Sequence, residues 1–269
     1  MSKMLDLPTP KMIAEKRDGV GWMTFNQPEK RNAVSMSMWE AVPIIMAEFE
    51  RDPEVRVVVM KGAGDKAFVS GADISEFGEK RNDPETVKLY NDAVARSHEA
   101  MHSLTKPLIA MVRGFCIGGG MAVAIDADFR IASEDSKFGV PAARLGLGYA
   151  YDGLKTLTDL VGPAFAKEIF FTARHFSAAE ALNMGLVNRV VPASELERVV
   201  TEEYANVIAA NAPKTVRTAK ATVNEALKNP DERDLARLDR MVAECFASKD
   251  YIEGRTAFME KRKPVFRDQ

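Results

Sequence analysis

Short apolar runs alternate with stretches of helical spacing along the first two thirds of this chain. Val20 to Phe25, Val55 to Met60 and Leu108 to Val112 are apolar on nearly every position, the pattern of strands buried on both faces. Lys11 to Lys16 pairs with the first of them across Asp18-Gly19, a hairpin signal. Between the strands, Trp39, Val42, Ile45, Met46 and Phe49 recur at helical spacing. Ser35 or Ser37 offers the cap, and Pro53 the stop. A long helix is predicted from Pro84 to about Leu104, before Pro107. Phe129 to Ala132 and Leu186 to Val191 read as further short strands with helices between them. Strand and helix alternating in this way predict an α/β core. From Pro192 onward the pattern is helical, with turns at Asn211-Ala212-Pro213 and Asn229-Pro230. The predicted organisation is a core over residues 1–191 and a helical region over 192–269.

Composition narrows the partners more than the chemistry. The 269 residues are 46% hydrophobic and 28% charged, ordinary values for a globular chain. A formal net charge of −2 provides no basic field, so nucleic acid is not an expected partner. No apolar run approaches the roughly 20 residues of a membrane helix. The opening Met1-Ser2-Lys3-Met4-Leu5-Asp6-Leu7-Pro8 lacks the apolar centre of a signal peptide. Cys116 and Cys245 are too few for a disulfide framework. A cytoplasmic location is expected. Cys116 has no histidine close in sequence to activate it, so a small buried residue is the expectation there.

Two glycine-bearing stretches stand out against this background. Gly71-Ala72-Asp73-Ile74 follows the loop Gly64-Asp65-Lys66-Ala67-Phe68-Val69-Ser70, and Gly114-Phe115-Cys116-Ile117-Gly118-Gly119-Gly120 follows the strand at 108–112 and opens a helix. Glycine lets a backbone approach a ligand closely, and N–H groups at a helix start have no partner inside the helix. Two such groups converging on one oxygen form an oxyanion hole.

Taken together, these stretches and their flanks resemble the crotonase (enoyl-CoA hydratase/isomerase) superfamily, almost from end to end. The resemblance implies a spiral of ββα turns, with the C-terminal helices assembling a homotrimer or a dimer of trimers. It implies an acyl-CoA thioester as substrate, with coenzyme A entering as part of it and no permanently bound cofactor or metal. The family's oxyanion hole falls on the backbone N–H of Ala72 and Gly119, flanked by Gly71, Asp73, Ile74 and Gly118. Lys66-Ala67-Phe68 resembles the stretch lining the adenine pocket. Lys30 and Arg31, in the polar loop that ends at Ala33, match basic residues near the coenzyme phosphates. Glu253 to Pro264 resembles a family signature in which Phe258 lies against adenine and Lys261 on a phosphate.

The departures from the pattern bear on the reaction. A hydratase of this family uses two glutamates, one as base and one as acid. Their positions here hold Ala122, in Met121-Ala122-Val123, and Ala142, after Phe138-Gly139-Val140-Pro141. Alanine exchanges no proton, so two-glutamate hydration is not expected. Tyr149 resembles the tyrosine of the methylmalonyl-CoA decarboxylase branch, where carbon dioxide leaves and no base is needed. Asp152 is a candidate base or, alternatively, the N-cap of a helix from Gly153 to Val161. Asp126 lies one turn beyond Ala122 on the same face and is expected to be structural.

Two other readings compete. His98-Glu99-Ala100-Met101-His102 fits the H-E-x-x-H zinc pattern, but His175 is the only other histidine and has no recognised spacing. A non-catalytic acyl-CoA-binding protein would also keep both glycine stretches.

Overall fold

The computed structural model describes residues 3–73 and 84–269. Two sheets carry the fold. The larger has seven strands: β1 (Lys3–Met4), β2 (Met12–Arg17), β3 (Val20–Phe25), β4 (Val57–Gly62), β6 (Leu108–Val112), β8 (Phe129–Ser133) and β11 (Arg189–Val191), side by side in that order. The β2–β3 hairpin is antiparallel; β3, β4, β6, β8 and β11 run parallel. Val57 to Met60 and all of β6 are buried, as strands covered on both faces must be.

The second sheet has order β10, β9, β7, β5, formed by Phe176–Ser177, Lys137–Gly139, Phe115–Ile117 and Ala67–Val69. Its members are two or three residues long, below the length at which periodicity speaks. The stretch from 64 to 70, expected as a loop, therefore contains β5. The strand expected at 186–191 shortens to β11, because Leu186 and Val187 turn out of the ladder to bond Ala181.

Helix α1 (Met36–Arg51) starts after Ser35 and buries Trp39, Val42, Ile45, Met46 and Phe49, the stripe read from spacing. Helix α2 (Pro84–His102) packs on it. The short α3 (Gly119–Ile125) follows β7, and α4 (Ala142–Leu145) follows β9. Helix α5 (Tyr151–Thr172) bends at Gly162, whose φ of 77° and ψ of 162° interrupt it ahead of Pro163. Its N-cap is Ala150, so Asp152 lies in the first turn and does not cap it. Helix α6 (Ala178–Asn183) has a capping box between Ser177 and Glu180.

Beyond Pro192 come α7 (Leu196–Arg198), a π-turn through Ala205, α8 (Asn206–Ala210), α9 (Pro213–Ala226), α10 (Leu235–Ala247) and α11 (Lys249–Met259). Leu196, Val199, Val200 and Ala205 pack with Val20, Trp22, Val57 and Val59 on one face of the large sheet. The other face meets α1 and the main core. No described helix is long and apolar enough to cross a membrane.

Candidate active site

The two glycine stretches meet where the sheets approach. A parallel bridge joins Val34 to Ala72: Val34 N–H donates to Gly71 C=O, and Asp73 N–H donates to Val34 C=O. Because successive amides in an extended chain point to opposite sides, the N–H of Ala72 faces away from Val34. On that side stands Gly119. A Cβ built on Gly119 would lie 3.6 Å from Ala72 N and 3.8 Å from Gly71 Cα. Gly119 is the first residue of α3, where an amide has no intrahelical acceptor. Among the described residues neither N–H has a backbone or side-chain acceptor. Two free amides from separate segments thus share one small volume.

The neighbouring glycines explain how the segments come so close. A Cβ on Gly120 would fall 2.0 Å from Val69 C=O, and one on Gly114 would fall 2.1 Å from Lys66 C=O. Both glycines clamp β5 onto β7 and the start of α3. Gly71 and Gly118 adopt φ of 119° and 56°, a region costly to residues with a side chain. Gly118 N–H donates to Gly139 C=O, drawing β9 and Pro141 up beside the pair. Since backbone cannot yield as a flexible side chain does, Gly120→Ala should cost about 3 kcal/mol, seen as a lowered melting temperature.

Below the amides, α3 is held at its C-terminal end. Arg130, buried on β8, donates through one guanidinium nitrogen to Ala127 C=O at 2.7 Å and through another to Leu186 C=O at 2.7 Å. Asp126, the C-cap, is held by both histidines of the zinc-like pattern: His98 Nδ1 at 2.5 Å and His102 Nε2 at 2.9 Å. The pair therefore serves a carboxylate, and among the described residues no group of three His, Cys, Asp or Glu is arranged to hold a metal ion. The hydrogen bond to Asp126 raises the His102 pKa above its ordinary 6.5, reinforced by Glu99 and opposed by burial and Lys220. A raised pKa adds stability that is fully present below pH ~6.5 and fades as pH rises through the folded-state value. The stability gap between wild type and His102→Gln in urea denaturation should thus be wider at about pH 5.5 than at about pH 8.5.

The expected coenzyme residues separate into three groups. Arg31, Lys66 and Ala67 line one cavity of about 150 Å³ together with Pro28, Asn32 and Gly64. The Arg31 guanidinium also lies 5.2 Å above the Phe115 ring. Phe68 departs from expectation: its side chain is fully buried in the core, so only its backbone can face the cavity. Lys30 and Asp73 form an ion pair at 2.8 Å, with Gln27 Nε2 also on Asp73 at 3.3 Å. That pair ties the 27–33 loop, including Ala33, to the segment bearing Ala72. Phe258 is 82% exposed on α11, and neither it nor Lys261 lines the cavity. Ile74 lies outside the described residues.

Tyr149 sits on the exposed stretch ahead of α5, and Asp152 in the first turn of that helix. The Tyr149 ring packs edge-on against Phe170 at 4.9 Å, and burial pushes its phenol pKa up, so it is protonated at neutral pH. Asp152 is exposed, and its backbone carbonyl accepts from Thr156 Oγ1. Cys116 is buried, with its thiol pKa raised by desolvation, and is no nucleophile.

Sequence reading missed Asn32, which sits at φ 55° and organises this corner. Its Nδ2 donates to Ala63 and Ala67 carbonyls, and its Oδ1 accepts from Gln27 N–H. The one signal in the sequence was an asparagine, among the non-glycine residues most tolerant of left-handed backbone, in a polar loop.

A largely parallel sheet packed with helices, beside a second small sheet, is the α/β architecture of crotonase-fold proteins. The profile of the family Enoyl-CoA hydratase/isomerase matches residues 15–269. The chain is 39% identical over 253 residues to a short-chain-enoyl-CoA hydratase of Clostridium acetobutylicum, covering 94% of this chain and 95% of that one. It is 37% identical to a crotonyl-CoA hydratase of Syntrophomonas wolfei, over 95% and 97% of the two chains. The crystal structure of an enoyl-CoA hydratase/carnithine racemase from Magnetospirillum magneticum superposes with a TM-score of 0.92 at 34% identity, covering 97% of each chain. This protein belongs to the enoyl-CoA hydratase/isomerase family.

Proposed function

We propose that this protein is an enzyme acting on acyl-CoA thioesters through an enolate held by the N–H groups of Ala72 and Gly119. The convergence of those two unpartnered amides carries the reading. As the thioester carbonyl gains negative charge, donors already aimed at it need no reorganisation. Arg31 and Lys66 on one cavity suit the coenzyme's phosphates and adenine. Phe258 and Lys261 keep the roles the family resemblance gives them.

Which bond breaks turns on Ala122 and Ala142, neither of which can move a proton. Decarboxylation is the second reading, favoured by Tyr149. Its protonated phenol can donate to a substrate carboxylate and orient it. The C–C bond to that carboxylate then breaks, carbon dioxide leaves, and the electron pair passes into the enolate. A proton taken up at Cα completes the cycle. Where a reaction instead begins by removing a proton, Asp152 is the candidate base nearest in sequence.

Assembly into a trimer or a dimer of trimers forms part of this proposal. Helix α10 buries none of its residues, and Leu235, Val242, Phe246, Ile252 and Met259 are exposed. Such apolar surface commonly marks an interface.

A mass-spectrometric screen of enoyl-, malonyl- and aryl-CoA substrates tests the reaction. Turnover of any of them that collapses in Ala72→Pro, which lacks the donor, is expected. Tight binding without turnover across the panel would instead make the protein a non-catalytic acyl-CoA binder.

A further inference from the structure

The Gly62–Gly64 loop divides the small cavity at Arg31 and Lys66 from a larger one of about 640 Å³ on its other side. That volume is typical of small-molecule sites. The end of β4, the residue after β6, the outward side chains of β2 and the turn into α7 line it, and it opens to solvent on one side. Its apolar lining comes from Met4 and Ile13, with the buried Met111 and Leu196 behind them.

Four charged side chains line it: Glu15, Lys61, Arg113 and Glu197. Lys61 Nζ stands 3.9 Å from Glu197 and 5.2 Å over the Trp22 ring, so it is already engaged. Arg113 differs. It is half-buried, its Nε is shut off from solvent, and that N–H meets no acceptor among the described residues. The guanidinium fork matches the two oxygens of a carboxylate. A doubly charged phosphate would meet repulsion from Glu15 and Glu197, which a single carboxylate feels less.

We propose that this cavity is a second ligand site, separate from the two amides, which takes a small monocarboxylate with an apolar body. The carboxylate pairs with Arg113 and the body lies against Met4, Ile13 and Met111. The site stands on its own residues and does not require the acyl-CoA reading.

The test is calorimetric titration of the whole chain with hexanoate, run both in the presence and in the absence of excess coenzyme A. One saturable site is expected, weakened about tenfold or more in Arg113→Met, the loss of a charge-assisted pair. Ser194→Trp, placed on the exposed turn that lines the cavity, should block binding by bulk and keeps the test decisive if Arg113→Met folds poorly. No saturable binding, binding indifferent to both variants, or binding seen only when coenzyme A is left out would each overturn the site. Inorganic phosphate binding as tightly as hexanoate would overturn the assignment of a monocarboxylate.

Discussion

Gly119→Ala is expected to lower kcat/KM on any acyl-CoA substrate by on the order of 10²–10³, equal to about 2.7–4 kcal/mol of transition-state stabilisation, with the fold intact. The added methyl would sit 3.6 Å from Ala72 N, an ordinary van der Waals contact, and the backbone at Gly119 is helical. Nothing in the protein therefore has to move. A thioester oxygen bonded to both amides must nevertheless lie about 2.7–3.1 Å from each. A methyl attached one carbon from one donor and close to the other crowds that position. Circular dichroism and melting temperature should match wild type while turnover falls. This separates Gly119 from Gly120, one residue on, where the clash is with backbone and the loss should be in folding. Undiminished turnover in Gly119→Ala would remove Gly119 from the proposed oxyanion hole.

Hydration of crotonyl-CoA is expected to run about 10²–10⁴ slower than in a relative that carries both glutamates, the usual contribution of positioned acid–base groups. Ala122 occupies the first turn of α3, just past Gly119, and is half-buried, so a longer side chain there has room to reach toward bound thioester. Ala122→Glu should therefore raise hydration above the wild-type level, read as loss of the enoyl-thioester absorbance. Asp126 does not fill the gap, because its carboxylate is spent on His98 and His102 at the other end of the helix. Ala142 is 4% exposed, and an unpaired carboxylate introduced there carries a burial cost. The double variant is thus expected to be less stable than Ala122→Glu alone. Brisk hydration by the wild-type chain would mean that another group does the work of the glutamate pair.

The order of strands and helices was legible along the chain wherever an element was long enough to show its period. Helix α1, the buried strands β3, β4 and β6, and the helical run after Pro192 follow from apolar spacing and from prolines at their ends. The identity of the two glycine stretches was legible too, because glycine is demanded wherever backbone must approach backbone. What letters could not supply was the second sheet. Its strands of two or three residues form because β5, β7, β9 and β10 are brought together from distant parts of the chain, and their hydrogen bonds are long-range. The same holds for polar residues whose role depends on a distant partner. Asp73 was placed beside the expected oxyanion hole and is tied to Lys30; His98 and His102 spell a zinc-like pattern and converge on Asp126. Phe68, two residues after Lys66, gave no hint that it points into the core. Local pattern determines which segment is strand or helix, since that depends on burial of one face. Only the folded chain decides which amide, carboxylate or imidazole meets which, since those bonds join residues far apart in sequence.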